Sequence, residues 1–329
     1  MKRESRIDVS RGIGILLVTL GHSLYINYYF KKWIYSFHMP LFFFISGYLF
    51  NFDKYKDNYK EFLKKRFKSL IIPYFLLQFV IWILLFAFQY KFNLTTEALD
   101  RFIGIFLGYR MHKYYFYLWF FILLFIVENI MYFLIKYLNK LLYIIAIISY
   151  ICSYYLIKNV QGFFLSTDLV PLCLTFVIAG YLYKRDFSKM VDGWNKIIKA
   201  FLLICALAVS VFVSYKNSYY FGLINIHDCN IGDPRLFIVA ALAGIMFIYL
   251  LSTFINKCKV LEDLGKNTVV IYAFQNPIVF PIAYFILDNS FIINRDIKFV
   301  ISIIIVVPIL RLIAYLTDKY IPIMSGKSK

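Results

Sequence analysis

Three ionisable side chains lie in or beside the first apolar run of the chain, which reads SRGIGILLVTLGHS over residues 10–23. On an α-helix, eleven residues give three turns plus about 20° and a rise of about 16.5 Å, so Arg11 and His22 share one stripe. Asp8 lies within about 40° of that stripe, one turn before Arg11. A histidine with a pKa near 6.5 can take a proton from a hydroxyl group at physiological pH. The spacing therefore predicts an axial line of polar groups in which His22 is a candidate catalytic base.

Each of these residues also has a purely structural interpretation. Asp8 and Arg11 can anchor the helix at a membrane interface, paired with each other or extended toward water. His22 can be a packed, hydrogen-bonded histidine. Ionisable groups inside a membrane are costly and usually functional, so the catalytic hypothesis is strongest for His22.

A second stretch, SFHMPLFFFISGYLF at residues 36–50, contains another histidine. It places His38 near the outer membrane face, with Pro40 either in the first helical turn or at a kink. Ser46 and Gly47 lie deeper and permit close contact between helices. His38 is therefore a second polar candidate, whereas the other three residues are explained by packing.

A basic cluster follows in EFLKKRFKSLIIPYF at residues 61–75 and comprises Lys64, Lys65, Arg66 and Lys68. Such a cluster can anchor the chain on anionic lipid. Arginine and lysine are also the usual donors to phosphate groups, so the cluster equally fits a site for a phosphate-bearing cytoplasmic ligand.

The elements that position these residues follow from composition. The chain has 329 residues, of which 62% are hydrophobic and 16% charged, whereas soluble domains are about 45–50% apolar and about 25% charged. Its apolar residues form repeated runs of about the 20 residues needed to span ~30 Å of hydrocarbon. The sequence predicts an all-α polytopic membrane protein, with residues 1–329 forming a single integral membrane domain.

Apolar runs separated by charged breaks predict ten transmembrane helices. They lie near residues 12–30, 35–51, 70–90, 115–135, 141–157, 168–183, 199–215, 236–255, 268–287 and 298–316. The fourth is the least regular, because residues 101–117 can also hold a re-entrant or interfacial piece.

Basic residues set the expected orientation. If the spans alternate from a cytoplasmic N-terminus, the inner segments hold 24 of the 36 lysines and arginines: four in 1–11, seven in 53–69, two in 136–140, five in 184–199, three in 256–266 and three in 317–329. The positive-inside rule then places both termini in the cytoplasm and the protein in the cell membrane. Basic residues confined to short loops between apolar runs argue against nucleic-acid binding, despite a net charge of +18.

These stretches together resemble the membrane proteins of acyltransferase family 3, particularly the short forms similar to fucose 4-O-acetylases. The matching residues are RIDVSRGIGILLVTLGHS, FHMPLFFFISGYLF and KKRFKSLIIPY, with weaker matches in LWFF at 118–121 and LGKNTVVIYAFQN at 264–276. The clear match covers about the first 75 residues.

The resemblance implies transfer of an acyl group, usually acetyl, from cytoplasmic acyl-CoA to a hydroxyl of a carbohydrate or related envelope substrate. Arg11 and His22 fall on the family's Arg-x10-His motif, whose histidine is considered catalytic. From its position at the cytoplasmic end, we expect Arg11 to hold a CoA phosphate or position the thioester arm, with Asp8 orienting Arg11. The basic cluster corresponds to an element that is taken to help bind CoA. In the ninth predicted helix Gln275 stands where many relatives carry a histidine.

The resemblance also suggests where the substrates bind. Acetyl-CoA or another acyl-CoA would be a donor substrate, with no permanently bound cofactor. Because His22 lies deep, toward the outer side, we expect a carbohydrate or lipid-linked glycan to approach from the outer face, near His38 and with Trp119 available for stacking. The alternative is a cytoplasmic acceptor that shares the inner opening with CoA. The five cysteines do not have the spacing of a metal site or of a disulfide framework.

Two other function classes remain open at this stage. A secondary transporter or flippase for an envelope precursor would line its pathway with polar residues. The spans hold few acidic residues, with Glu128 as the main exception, and the two halves show no clear repeat, which weakens ion coupling. A membrane sensor without catalysis is the third possibility.

Overall fold

The computed structural model describes residues 4–91, 96–108, 118–159, 163–255 and 257–327. Within these ranges the chain is helical apart from its turns and loops, and the only β-type pairing is an isolated bridge between Asn225 and Asn230. Residues 115–117 of the fourth predicted span lie outside these ranges, as do residues 109–114 before it.

Sixteen α-helices follow one another along the chain. They are α1 (Ser5–His22), α2 (Tyr28–Tyr35), α3 (His38–Tyr48), α4 (Tyr59–Arg66), α5 (Ile72–Lys91), α6 (Thr96–Leu107), α7 (Trp119–Leu138), α8 (Leu142–Asn159), α9 (Val170–Leu182), α10 (Ser188–Gly193), α11 (Lys196–Phe221), α12 (Pro234–Ile255), α13 (Lys259–Lys266), α14 (Thr268–Phe274), α15 (Phe280–Asp288) and α16 (Arg295–Tyr320). Three π-helical turns, Phe67–Ile71, Tyr183–Phe187 and Gln275–Val279, join α4 to α5, α9 to α10 and α14 to α15.

Seven helical stretches in the described residues are long and apolar enough to cross a membrane. They are Tyr59–Ala87, Trp119–Asn159, Phe164–Gly193, Lys196–Phe221, Pro234–Ile255, Thr268–Asp288 and Arg295–Tyr320. The chain is therefore a multi-pass helical membrane protein, and the number ten stays a prediction.

The first two predicted spans differ most from the observed helices. α1 contains three charged side chains and ends at His22, not at residue 30, because Ser23 is extended and the Asn27 side chain caps α2 by accepting from two backbone amides. α3 begins at His38, so Pro40 lies in its first turn, where a missing amide hydrogen costs little. His22 is thus the last residue of α1.

The predicted inner segments meet at one end of the bundle, which we call the basic end. Arg6 pairs with Asp192, and Arg185 donates to the Asn139 side chain at 2.9 Å. Both ends of the described chain lie here, since residues near 4 and near 327 contact neighbouring basic segments. The chain reverses at Asn139–Leu141, so α7 and α8 form a hairpin within Trp119–Asn159. The assignment of the basic end to the cytoplasm stays a prediction.

The opposite end gathers the connections that the sequence predicts on the outer side. Tyr25 donates to Asp288 at 2.7 Å, and Lys298 pairs with the same carboxylate at 2.9 Å. The Trp119 and His227 rings approach to 5.6 Å between centroids. We call this the histidine end, because the three histidines in the described residues lie there.

Helices α3 and α9 touch through their backbones. A Cβ atom added to Gly47 would lie 1.9 Å from the Val177 carbonyl oxygen, and one added to Gly180 would lie 1.9 Å from that of Phe44. Both positions therefore exclude any larger residue, as expected where small residues let membrane helices approach closely. This contact confirms the predicted packing role of Gly47.

Candidate active site

Helix α1 is paired along its length with the segment that runs from α13 to α15. Near its start, a Cβ on Gly12 would meet the Leu261 carbonyl oxygen at 2.0 Å, and one on Gly265 would meet that of Asp8 at 1.9 Å. The buried Asp8 is therefore locked against α13 by backbone contact. α13 is antiparallel to α1 at this crossing, and from Thr268 onward the segment runs in the same direction as α1 toward the histidine end.

Three polar contacts continue this pairing. Arg11 Nη2 donates to Thr268 Oγ1 at 3.0 Å, and Thr19 Oγ1 lies 2.8 Å from Gln275 Oε1. At the far end, the Tyr284 hydroxyl donates to the His22 carbonyl oxygen at 3.2 Å. We call this line of contacts, from Asp8 to His22, the α1 seam. The predicted stripe of polar residues on one helix is thus one side of a seam between two helical segments.

Gln275 lies in the middle of the α1 seam, between Arg11 and His22. It is 1% exposed, and its Nε2 amide has no hydrogen-bond partner among the described residues. It also begins a π-helical turn, a distortion that is frequent at functional sites. The residue that replaces the family's histidine therefore offers a buried amide group about one helical turn from His22.

The His22 ring faces a group of aromatic and basic side chains. Its centroid lies 6.1 Å from that of Tyr35, which in turn lies 4.9 Å from that of His38. His38, His227 and Lys31 are close enough to act electrostatically on His22. Three of the chain's four histidines therefore converge on one region, as expected for a site of proton transfer.

The hydrogen bond of His38 fixes its protonation pattern. Its Nδ1 atom lies 2.9 Å from the Ile34 carbonyl oxygen, and a carbonyl only accepts. Nδ1 must therefore carry a hydrogen, and in the neutral ring Nε2 keeps a free lone pair. His38 is buried beside Tyr35 and can accept a hydrogen bond or a proton on that atom.

Trp119 and His227 lie together on the other side of this region. Trp119 is 6% exposed and packs against Phe43, Phe120 and His227, so its ring is largely covered in this structure. His227 also contacts Asp228 at 3.2 Å. The predicted stacking of a sugar on Trp119 stays a prediction.

The sequence analysis missed His227, which lies in the loop between α11 and α12. The buried Asn217 holds this loop, since its amide donates to Ile231 O at 3.0 Å and its carbonyl accepts from Asp233 N at 2.8 Å. A histidine in a polar loop carries no local pattern. Its scarcity, with four in the chain, was the only available signal.

The basic cluster divides into two parts. Arg66 turns into the bundle, where its Nε lies 3.0 Å from Glu128 Oε2, while Glu128 Oε1 accepts from Ser46 Oγ at 2.6 Å. Lys64, Lys65 and Lys68 are exposed. Arg66 therefore balances the main acidic residue of the spans, and the three lysines are the exposed cations of the cluster.

The cluster and Arg11 lie at the same end and border a shared segment near the C-terminus. A Cβ on Gly326 would meet the Ser69 carbonyl oxygen at 2.7 Å, and Lys327 Nζ donates to Asn267 Oδ1 at 2.7 Å, next to the Arg11 partner Thr268. Residues 322–327 thus lie between the cluster and the α1 seam.

Comparison with known proteins identifies the family of the chain. The model of an acyltransferase domain matches residues 4–317 of the chain. A curated relative, Nodulation protein NolL of Mesorhizobium japonicum (strain LMG 29417 / CECT 9101 / MAFF 303099), is 34% identical over 108 residues, which cover 30% of this chain and 29% of that protein. The match thus spans less than a third of the relative's length. No solved structure matches the chain.

Proposed function

Because the chain belongs to acyltransferase family 3 and is therefore an acyltransferase, we propose that it moves a short acyl group from acyl-CoA to a hydroxyl group of a cell-envelope carbohydrate. The observation that carries this proposal is the α1 seam, which joins Arg11 at the basic end to His22 at the histidine end. Family membership also disfavours the transporter and sensor interpretations. The ion pair of Glu128 with Arg66 gives that carboxylate a structural partner, which further weakens ion coupling.

The reaction needs a base, a place for the thioester and a leaving group. His22 takes the proton of the acceptor hydroxyl as the oxygen attacks the thioester carbonyl carbon. The carbon–sulfur bond then breaks, CoA leaves as a thiolate, and the proton held by His22 returns to that sulfur or to water. The Gln275 amide, placed about one turn from His22, would donate to the carbonyl oxygen, where negative charge develops.

Donor binding is assigned to the basic end. CoA carries several phosphate groups, and Lys64, Lys65 and Lys68 are exposed cations at that end. Arg11 lies about 16.5 Å along α1 from His22, a distance that an extended phosphopantetheine arm can bridge. The nucleotide would stay among the lysines while the thioester extends along the α1 seam.

A His22→Ala variant tests the base directly. General-base catalysis is worth about 10²–10⁴-fold, so acyl transfer should fall at least 100-fold. His22→Gln keeps hydrogen-bonding groups without a base and should be as inactive. Free CoA is measured by chromatography, since the chain's own cysteines would react with a thiol dye.

Two outcomes separate the roles of the histidines. If either His22 variant keeps more than about a tenth of the wild-type rate while remaining folded, His22 is not the general base. In that case His38→Gln should abolish transfer, because the free Nε2 of His38 is the alternative base in the same region. Thermal unfolding of each purified variant serves as the control for folding.

The sidedness of the reaction is tested in sealed vesicles of known orientation. The length of the α1 seam favours acyl-CoA on the cytoplasmic face and the acceptor on the other face. Product should form when the substrates are on opposite faces. If product forms only when both share the cytoplasmic face, transfer through the membrane is wrong, although the acyltransferase assignment stands.

A further inference from the structure

Two cations lie beside the His22 region at the histidine end of the bundle. Lys31, on α2, is half-buried and lies over the Tyr35 ring at 5.4 Å, the same ring that His22 contacts. Arg295 begins α16, is exposed, and is close enough to act on the charge of Lys31. Both residues lie outside the seven membrane-crossing stretches or at their edge.

Neither cation is neutralised within the described part of the chain. No carboxylate there lies within ion-pair distance of Lys31, and Arg295 donates to the carbonyl oxygens of Leu24 and Ile26 at 3.1 and 3.3 Å. The Arg295 bonds fix the guanidinium against the turn that follows His22. Its remaining donors are available to another group, because a guanidinium carries five N–H bonds.

Two carboxylates at this end are held by other residues. Asp288 accepts from Tyr25 and pairs with Lys298, and Asp228 contacts Asn225 and His227. Neither forms an ion pair with Lys31 or Arg295 in the described structure.

Holding two cations near each other is unfavourable when neither has an ion-pair partner among the described residues. Burial lowers the pKa of Lys31, and the nearby charge of Arg295 lowers it further. The chain nevertheless positions both groups, one over an aromatic ring and the other on two backbone carbonyls. An anion at this point would remove the repulsion and gain charge-assisted hydrogen bonds from both residues.

We propose that Lys31 and Arg295 bind an anionic group of the acceptor, a phosphate or a carboxylate, close to the hydroxyl that is acylated. This inference rests on the proposed function and names the substrate class, an anionic glycan or glycolipid. The anion would lie at the mouth of the His22 region, so it selects which acceptors present their hydroxyl to the base. The same chemistry is offered by a lipid-linked sugar phosphate and by an acidic sugar.

Binding is measured without turnover, on the full chain purified in uncharged maltoside micelles. The probes are dodecyl phosphate for the lipid-phosphate source, methyl glucuronoside for the acidic sugar, and methyl glucoside as the neutral match. At least one anionic probe should raise the unfolding temperature of the wild type in a saturable manner, and the neutral sugar should not. The probe that binds identifies the source.

Variants then locate the site. Lys31→Gln and Arg295→Gln should each weaken anion binding about tenfold, which corresponds to about 1.4 kcal/mol. Lys158→Gln is the matched control, since Lys158 is exposed at the same end and also lies over a tyrosine ring, at 5.9 Å from Tyr154 on α8. The control should bind like the wild type.

Several results would overturn the assignment. It is wrong if no anionic probe stabilises the wild type, if the glucoside stabilises equally, or if Lys158→Gln weakens binding as much as Lys31→Gln. Release of CoA from acetyl-CoA is measured on the same samples. Anion binding without CoA release would refute the proposed reaction but support the anion site of Lys31 and Arg295. CoA release without anion binding would refute the anion site alone.

Discussion

The ion pair between Arg66 and Glu128 decides whether the proposed donor site of the basic cluster would use four residues or three lysines. The Glu128 side chain is 3% exposed and has Arg66 and Ser46 as partners, whereas the Arg66 side chain is 24% exposed. Because the two side chains differ in exposure, removing the charge of Arg66 and removing that of Glu128 should lower stability by different amounts.

The magnitudes follow from that exposure. At 3.0 Å and an effective dielectric constant near 20, the attraction is about 5 kcal/mol before desolvation is subtracted. Arg66→Gln leaves a buried carboxylate with Ser46 as its remaining partner, so the free energy of unfolding should fall by about 3 kcal/mol, the lower end for a broken buried pair. Glu128→Gln leaves an arginine that can turn toward water, and its cost should be nearer 1 kcal/mol.

Equilibrium unfolding in mixed micelles of the two single variants and the double variant measures the coupling. The double variant should cost less than the sum of the singles, by at least about 1 kcal/mol, because it leaves no unpaired charge. Lys64→Gln, an exposed neighbour in the cluster, serves as the control and should leave stability unchanged. A coupling below about 0.5 kcal/mol would refute this reasoning. If Arg66→Gln keeps its stability but raises KM for acyl-CoA, Arg66 is a donor ligand instead.

Three further outcomes are expected. Replacing Lys64 and Lys68 together with glutamine should raise KM for acyl-CoA at least several-fold and leave the acceptor KM unchanged; an unchanged donor KM would assign the lysines to lipid anchoring. Gly265→Ala should lower stability by about 1–3 kcal/mol in thermal unfolding, because its Cβ would lie 1.9 Å from the Asp8 carbonyl oxygen. A variant as stable as the wild type would show that α13 can move away from α1. Gln275→Leu should reduce kcat about 10²-fold with little loss of stability, since its Nε2 has no partner among the described residues and Thr19 keeps its bond to the Ile15 carbonyl oxygen. A large loss of stability together with the loss of activity would make the residue structural.

Much of the fold could be predicted from the sequence, because apolar length is a strong signal. Eight of the ten predicted spans overlap the seven stretches that the structure also identifies as long and apolar enough to cross a membrane, because two of them fall in the α7–α8 hairpin. Length and apolarity fail for α1, where Arg6, Asp8 and Arg11 fall within the helix, and for α3, which has 11 residues. Such helices are stabilised by contacts with neighbours, which a window along the chain does not contain.

The candidate site could also be predicted only in part from the sequence. Helical geometry was sufficient to place Arg11 and His22 on one stripe, since both belong to one element. It could not bring His227 to Trp119 or Arg295 to the turn at Leu24 and Ile26, because these contacts join distant segments. Nor could it show that Arg66 turns inward, since the four residues of the basic cluster look alike in sequence.

The α1 seam explains why two separate motifs occur in one chain. The first motif supplies Arg11 and His22, and the second, LGKNTVVIYAFQN, supplies Gly265, Thr268 and Gln275, which contact α1 at successive heights. Gly265 and Gly12 bring the two backbones together, so the polar partners are set by the register of that crossing. A shift of one turn in this register would move every pair by about 5.4 Å at once. The glycine contact near Asp8 therefore sets which residues of the second motif face Arg11 and Thr19.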